Sequence, residues 1–227
     1  DWLVVLDSTK VFSSGVLDSL LKLKNSTIRQ AAFAGQLRSG HLTSIPLDPD
    51  ALRSIARIDS PKLKLSYLEP AQKALSLSGA VQDAALFSLG HIPGNDTKIF
   101  AALAKHVVNP DLTASAVEAI LTRPEETWPA EAAAALLDTQ LPILKSTPVE
   151  KRGSASFELV SKLLTIISTI RKAHDTVVQI RSLQLVPVEV ATVPDQLRFD
   201  QNSIRVPANT PVELRLNNPD VIQHNLV

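Results

Sequence analysis

Histidines are the residues of this chain whose chemistry is most readily used, because imidazole binds metals and titrates near neutral pH. The chain has 227 residues and five histidines. One of them, His224, stands in the stretch NNPDVIQHNLV at residues 217–227, after a segment with the pattern of a β-strand. It is either an ordinary surface residue or the first ligand of a metal site. The others lack the partner spacing of an H-E-x-x-H motif, and we expect them to be structural or solvated: His41, His91, His106 and His174.

Motifs for catalysis and for redox chemistry are missing from the sequence. The chain has no cysteine, which excludes disulfides, thiolate metal sites and haem attached through C-x-x-C-H. Its seven glycines form neither a dinucleotide-binding motif nor a P-loop, and no G-x-S-x-G elbow occurs. Two pairs of neighbouring acids lie beside prolines and are interpreted as solvated turn residues: Asp48 with Asp50, and Glu125 with Glu126. We therefore expect no enzyme activity from this chain.

The charge and hydropathy of the sequence argue against two classes of partner, nucleic acids and membranes. Lysine and arginine together number 23, as do aspartate and glutamate, with no block of like charge. This balance argues against nucleic acid and against a polybasic membrane patch. The longest nearly apolar run, LLTIISTI at 163–170, is far shorter than the ~20 residues of a membrane span. Neither a signal peptide nor an initiator methionine is present, so we expect a processed product or a fragment.

Residues 1–183 have the pattern of helices separated by Pro, Gly and Asn-Asp breaks. In AVQDAALFSLGHI, residues 80–92, the apolar positions recur at helical spacing: Val81, Ala84, Ala85, Leu89 and Ile92. QDAALFSLG aligns with TASAVEAIL at an offset of 31 residues, and RQAAFAGQL at 29–37 has the same small and apolar character. Short helix pairs with alanine at the contacts resemble HEAT-like repeats, which bury their apolar faces by stacking. The alternative is an irregular helical bundle.

Residues 184–227 have the pattern of strands. Val186, Val188 and Val190 alternate with polar residues and proline, and VELRLNN alternates again. Several short strands separated by turns predict a β-sandwich with antiparallel strands. Val212, Leu214 and Leu216 are expected to face its core, because a slip of one residue would bury Glu213 and Arg215. The predicted fold class is therefore a mainly α, HEAT-like solenoid at 1–183, followed by part of an antiparallel sandwich at 184–227.

The order of strand, PANTP turn, strand, Asn-Asn and then VIQHNLV resembles the cupredoxins, especially the azurin-like and auracyanin-like ones. That resemblance implies that His224 is a copper ligand and that Asn225 helps to hold the loop bearing the other ligands. The family often has Met-Pro before this histidine, where this chain has Ile222-Gln223. A blue-copper site needs two imidazoles, a thiolate and a weak axial ligand. This chain supplies one of them, and we expect it to hold no type 1 copper.

Residues 80–227 together resemble a group of multidomain planctomycete-type proteins, which join HEAT-like repeats to a C-terminal azurin-like domain. This resemblance implies a scaffold and electron-transfer segment of an extracytoplasmic redox protein, with copper in the full-length family. Its implied partners are proteins, namely a redox protein or a dehydrogenase. The alternative is a protein-interaction module that binds no metal.

Overall fold

A computed structural model describes residues 13–108, 113–194, 196, 198–206 and 212–218 of the chain. It divides into two units, one ending at Leu136 and the other beginning at Leu137. Most of the described residues are helical, and the prediction of a mainly α chain is confirmed.

The first unit consists of short helices. They are α1 (Ser14–Leu21), α2 (Ser26–Ser39), α3 (Pro49–Arg53), a 3-10 turn (Ser54–Arg57), α4 (Pro61–Ser66), α5 (Leu68–Ala74), α6 (Ala80–His91), α7 (Asp96–Val107), α8 (Thr113–Thr122) and a second 3-10 turn (Glu125–Thr127). Helix α9 (Ala130–Ser146) contains the point in the sequence where the two units divide.

Several of these helices start where a side chain caps the backbone. Asn25 accepts a hydrogen bond from the Ile28 N–H (3.2 Å) ahead of α2. Asp48 accepts from the N–H groups of Asp50 (2.9 Å) and Ala51 (3.0 Å) ahead of α3. Such caps satisfy N–H groups that a helix leaves without a partner in its first turn. The breaks in the sequence therefore mark real helix starts.

Four helices of the first unit form a central row, in which α2 packs on α3, α3 on α6, and α6 on α8. Three further helices pack on members of this row: α1 on α2, α5 on α6, and α7 on α8. Of the apolar positions predicted for α6, Ala84, Ala85, Leu89 and Ile92 are fully buried, whereas Val81 is half-buried. Helix α6 thus buries most of its predicted apolar positions.

Small residues allow the closest contact in this row. A Cβ atom added to Gly90 in α6 would lie 2.9 Å from the carbonyl oxygen and 3.0 Å from the Cα of Ala119 in α8. In α2, Ala31, Ala32 and Ala34 are fully buried. The small residues of the repeated sequence phrase therefore lie where helices meet.

The second unit contains the rest of α9, a 3-10 turn (Val149–Lys151), α10 (Ala155–Ile170), α11 (His174–Leu183), β1 (Val186–Ala191) and β2 (Val212–Asn217). Helix α10 packs on α11. Its buried face includes Val160, Leu164 and Ile167, whereas Ile170, the last residue of the helix, is 52% exposed.

The two strands pair in parallel, with Val188 opposite Leu214 and Val190 opposite Leu216. The prediction of antiparallel strands was wrong for this pair. Parallel strands need a long connection, and residues 192–211 between β1 and β2 are enough for the chain to return to the same end of the sheet.

The expectation that one face of β2 lies in a core was also wrong. Val212, Leu214 and Leu216 are 37%, 44% and 52% exposed. The described residues include only a two-stranded sheet, and no second sheet covers this face.

Among the described residues, no helix has both the length and the apolar character that crossing a membrane requires.

Candidate functional site

His224, the predicted copper ligand, and Asn225, its predicted supporting neighbour, lie outside the described residues. Within the described ranges, no three His, Cys, Asp or Glu side chains are grouped so that they could hold a metal ion.

Of the other four histidines, His41 and His91 make local contacts. In His41 the ring nitrogen Nδ1 pairs with the Ser39 hydroxyl. In His91, at the end of α6, Nδ1 lies 2.9 Å from the Phe87 carbonyl, within the last turn of its own helix. Burial, with a smaller contribution from the charge of Lys105, lowers the pKa of His106. His174 begins α11 and is exposed. These contacts are structural ones.

Of the neighbouring acids, Asp50 is not the solvated turn residue that the sequence suggested. It is 7% exposed and accepts hydrogen bonds from three side chains of α2: Ser26, Arg29 (Nε, 2.7 Å) and Gln30 (Nε2, 3.2 Å). Burial raises the pKa of Asp50, but these hydrogen bonds and the positive charge of Arg29 outweigh it, and the net pKa is lowered. Asp50 therefore joins α3 to α2 as a carboxylate.

A second acid joins three helices. Asp83 in α6 forms an ion pair with Arg53 of α3 and accepts a hydrogen bond from the Ser115 hydroxyl of α8. The guanidinium of Arg53 also lies over the Phe87 ring, 5.0 Å from its centroid. The row α3–α6–α8 is thus connected through one carboxylate.

Among the described residues of the first unit, the most buried cation is Arg123, directly after α8. Its guanidinium donates to the carbonyls of Leu89 (3.0 Å), Ile92 (2.6 Å) and Gly94 (3.3 Å), and it forms an ion pair with Asp96. Arg123 lines a pocket of about 300 Å³. Because the guanidinium is already bound by protein groups, Arg123 is not free to bind a ligand in this pocket. We call Asp50, Asp83, Arg123 and their partners the polar network.

The sheet of the second unit has two unlike faces. Val188, Val190, Leu214 and Leu216 share one face, on which the β1 residue Val190 is 6% exposed and the β2 residues are not covered. On the other face Glu213 accepts a hydrogen bond from Arg215 (2.9 Å), and Glu189 lies opposite Arg215 in the register. The result is an amphipathic sheet whose apolar face is covered at β1 and open at β2.

The edges of the sheet differ as well. The Asp200 N–H donates to the Ala191 carbonyl (2.8 Å), and the Gln201 side chain donates to the Glu189 carbonyl (2.9 Å). The segment 199–201 thus covers the edge of β1 that faces away from β2. In the described part of the chain, no strand pairs with the corresponding edge of β2.

Sequence reasoning missed the polar network. Its partners lie 20 to 34 residues apart in the sequence, from Gln30 with Asp50 to Leu89 with Arg123. A sequence signal for these contacts would be an Arg or Ser in one helix and an Asp in a neighbouring helix, repeated once for each pair of helices.

Comparisons with protein-family models, with curated proteins and with solved structures found no match for this chain.

Proposed function

We propose that this chain is a non-catalytic scaffold that acts by binding other proteins. The observation that carries the proposal is the open apolar face of β2, where Val212, Leu214 and Leu216 are all more than a third exposed. A sheet normally buries its apolar face against another layer. Contiguous exposed apolar side chains therefore mark a surface for a partner.

The first unit supports the scaffold role. Its helices α2, α3, α6 and α8 pack in a row, and the polar network links neighbouring helices. Stacked helix pairs of HEAT-like proteins present extended surfaces to protein partners. The balance of 23 basic and 23 acidic residues favours a protein partner over nucleic acid.

A photo-crosslinking experiment tests the proposal. We replace Leu214 with a photoreactive phenylalanine analogue, irradiate the protein in its native cells, and identify the products by mass spectrometry. Arg215, on the opposite face of the same strand, receives the same analogue as the matched control. We expect a protein adduct from position 214, reproduced with the purified partner, and little from position 215. Equal yields from both positions, or no adduct from 214, would contradict the proposal.

The second candidate is the electron-transfer segment of a copper protein. The resemblance of residues 184–227 to the cupredoxins favours it, with His224 as a copper ligand, Asn225 as its support, and a redox protein or dehydrogenase as the partner. The donor set of type 1 copper includes a thiolate. The chain contains neither cysteine nor methionine, so its own residues do not fit that group.

Adding copper(II) to the purified chain tests this second candidate. We expect no intense thiolate-to-copper absorption, and at most weak binding that His224→Ala abolishes and the control His174→Ala leaves unchanged. Weak binding that survives His224→Ala would remove the residue from the proposed ligand position. The proposal also places the protein outside the cytoplasm, and cell fractionation tests this: recovery in the cytosolic fraction would count against the copper-protein proposal.

A further inference from the structure

The open edge of β2 presents the backbone groups of alternate residues. The Asn217 carbonyl accepts from the Thr192 N–H (3.0 Å) at the edge next to β1. Successive residues of a strand direct their N–H and C=O groups to opposite edges. Val212, Leu214 and Leu216 therefore direct theirs to the edge away from β1, which no other strand of the described chain occupies.

Two copies of β2 have complementary side chains when they run antiparallel. If two copies of Val212–Leu216 run antiparallel with Leu214 opposite Leu214, Val212 lies opposite Leu216 and Glu213 lies opposite Arg215. Apolar side chains then meet on one face and opposite charges meet on the other. Directly opposed residues of opposite charge stabilise a strand pair, and like charges destabilise it.

Other arrangements lack this match. If the antiparallel pair is centred on Glu213, the glutamates of the two copies lie opposite each other. If it is centred on Arg215, the two arginines do. In a parallel pair in register, glutamate lies opposite glutamate and arginine opposite arginine. A slip of one residue places charged side chains against apolar ones. The register centred on Leu214 is therefore the favoured one.

The backbone geometry agrees with this register. In an antiparallel pair, two opposed residues exchange both hydrogen bonds when their backbone groups point toward each other. Leu214 opposite Leu214, and Val212 opposite Leu216, meet that condition because these residues direct their backbone groups to the open edge. Glu213 and Arg215 then fall in the position where opposed side chains come closest.

We infer that two copies of this chain associate through β2, paired antiparallel about a twofold axis at Leu214. The pairing joins the two sheets into one of four strands, in the order β1, β2, β2, β1. Its apolar face runs continuously across both copies. The inference rests on the proposed function, since both place association at β2, and it names a second copy as the partner at the edge.

The experiment uses charge reversal and sedimentation equilibrium. We expect the unmodified chain to form a dimer. In Glu213→Arg, positions 213 and 215 are both arginine, so arginine lies opposite arginine at both charged positions of the pair. In Arg215→Glu, glutamate lies opposite glutamate at the same positions. Each variant should raise the dimer dissociation constant by about tenfold or more. Arg205→Glu, an exposed charge reversal outside β2, is the matched control and should leave dimerisation unchanged.

Two further samples separate charge matching from a loss of folding. An equimolar mixture of Glu213→Arg with Arg215→Glu restores opposite charges and should form a heterodimer. The double variant Glu213→Arg/Arg215→Glu should form a homodimer again. A monomeric unmodified chain would overturn the inference, as would single variants that dimerise normally or a mixture that stays monomeric. A monomeric chain that still gives a foreign-protein adduct from position 214 would leave the proposed function standing.

Discussion

Replacing Gly90 with alanine tests the close contact between α6 and α8. The added Cβ would lie 2.9 Å from the Ala119 carbonyl oxygen and 3.0 Å from its Cα, and neither backbone atom can move unless α8 moves. Overpacking of this kind costs about 1–3 kcal/mol. The better helix propensity of alanine offsets up to about 1 kcal/mol. We therefore expect Gly90→Ala to lower the free energy of unfolding of the first unit by about 1–2 kcal/mol.

The chain offers a matched control in Gly15, which also lies in a helix of the first unit. A Cβ at Gly15 meets no atom within 4 Å. Gly15→Ala makes the same chemical change without the clash, and we expect it to leave stability unchanged or raise it by up to about 1 kcal/mol.

Urea unfolding followed by tryptophan fluorescence measures the difference. Trp128 is 8% exposed and lies 6.1 Å from Phe100, centroid to centroid, so its emission reports on the first unit. Since the chain has two tryptophans, Trp2→Phe in every variant isolates this signal. A Gly90→Ala variant as stable as its parent, or a Gly15→Ala variant destabilised by the same amount, would show that the contact with Ala119 does not limit the size of residue 90.

The remaining predictions concern buried polar groups. The lowered pKa of Asp50 means that its carboxylate stabilises the fold above its ordinary pKa of 3.8, and that this stability is lost as the pH falls through the native value. Asp50→Asn should remove that pH dependence in urea titrations at acidic pH. Arg123→Met should lower the free energy of unfolding, measured by thermal unfolding, by about 3–5 kcal/mol, because it leaves Asp96 and three carbonyls without their donor. A decrease of less than about 1 kcal/mol would contradict this prediction. Ser161 is fully buried and its hydroxyl has no partner, so Ser161→Ala should raise stability by about 1 kcal/mol. Ser88 is equally buried, but its hydroxyl donates to the Leu52 carbonyl (2.8 Å), so Ser88→Ala should lower the free energy of unfolding by about 1 kcal/mol. Unfolding of both serine variants is measured by circular dichroism.

The helices of the first unit could be predicted because their signal is local. The spacing of Ala84, Ala85 and Leu89 is a property of a dozen consecutive residues, and those residues are buried as that spacing requires. The burial of Asp50 could not be predicted in this way. Whether a carboxylate can be buried depends on its partners, and Arg29 is supplied by another helix.

The direction of the strands also lay beyond the local pattern. Alternation of apolar and charged residues in β2 is the same whether the neighbouring strand is parallel or antiparallel. The pattern correctly placed Leu214 and Leu216 on one face of the sheet and Glu213 and Arg215 on the other. It could not predict whether another layer covers the apolar face. For His224 and Asn225 the sequence prediction remains a prediction.

Asp83 has a consequence for how the first unit responds to a local disturbance. It binds Arg53 of α3 on one side and Ser115 of α8 on the other, so one carboxylate in α6 adds a polar link to each of two packing contacts of this helix. A change at Asp83 therefore weakens the contact of α6 with α3 and its contact with α8 at the same time.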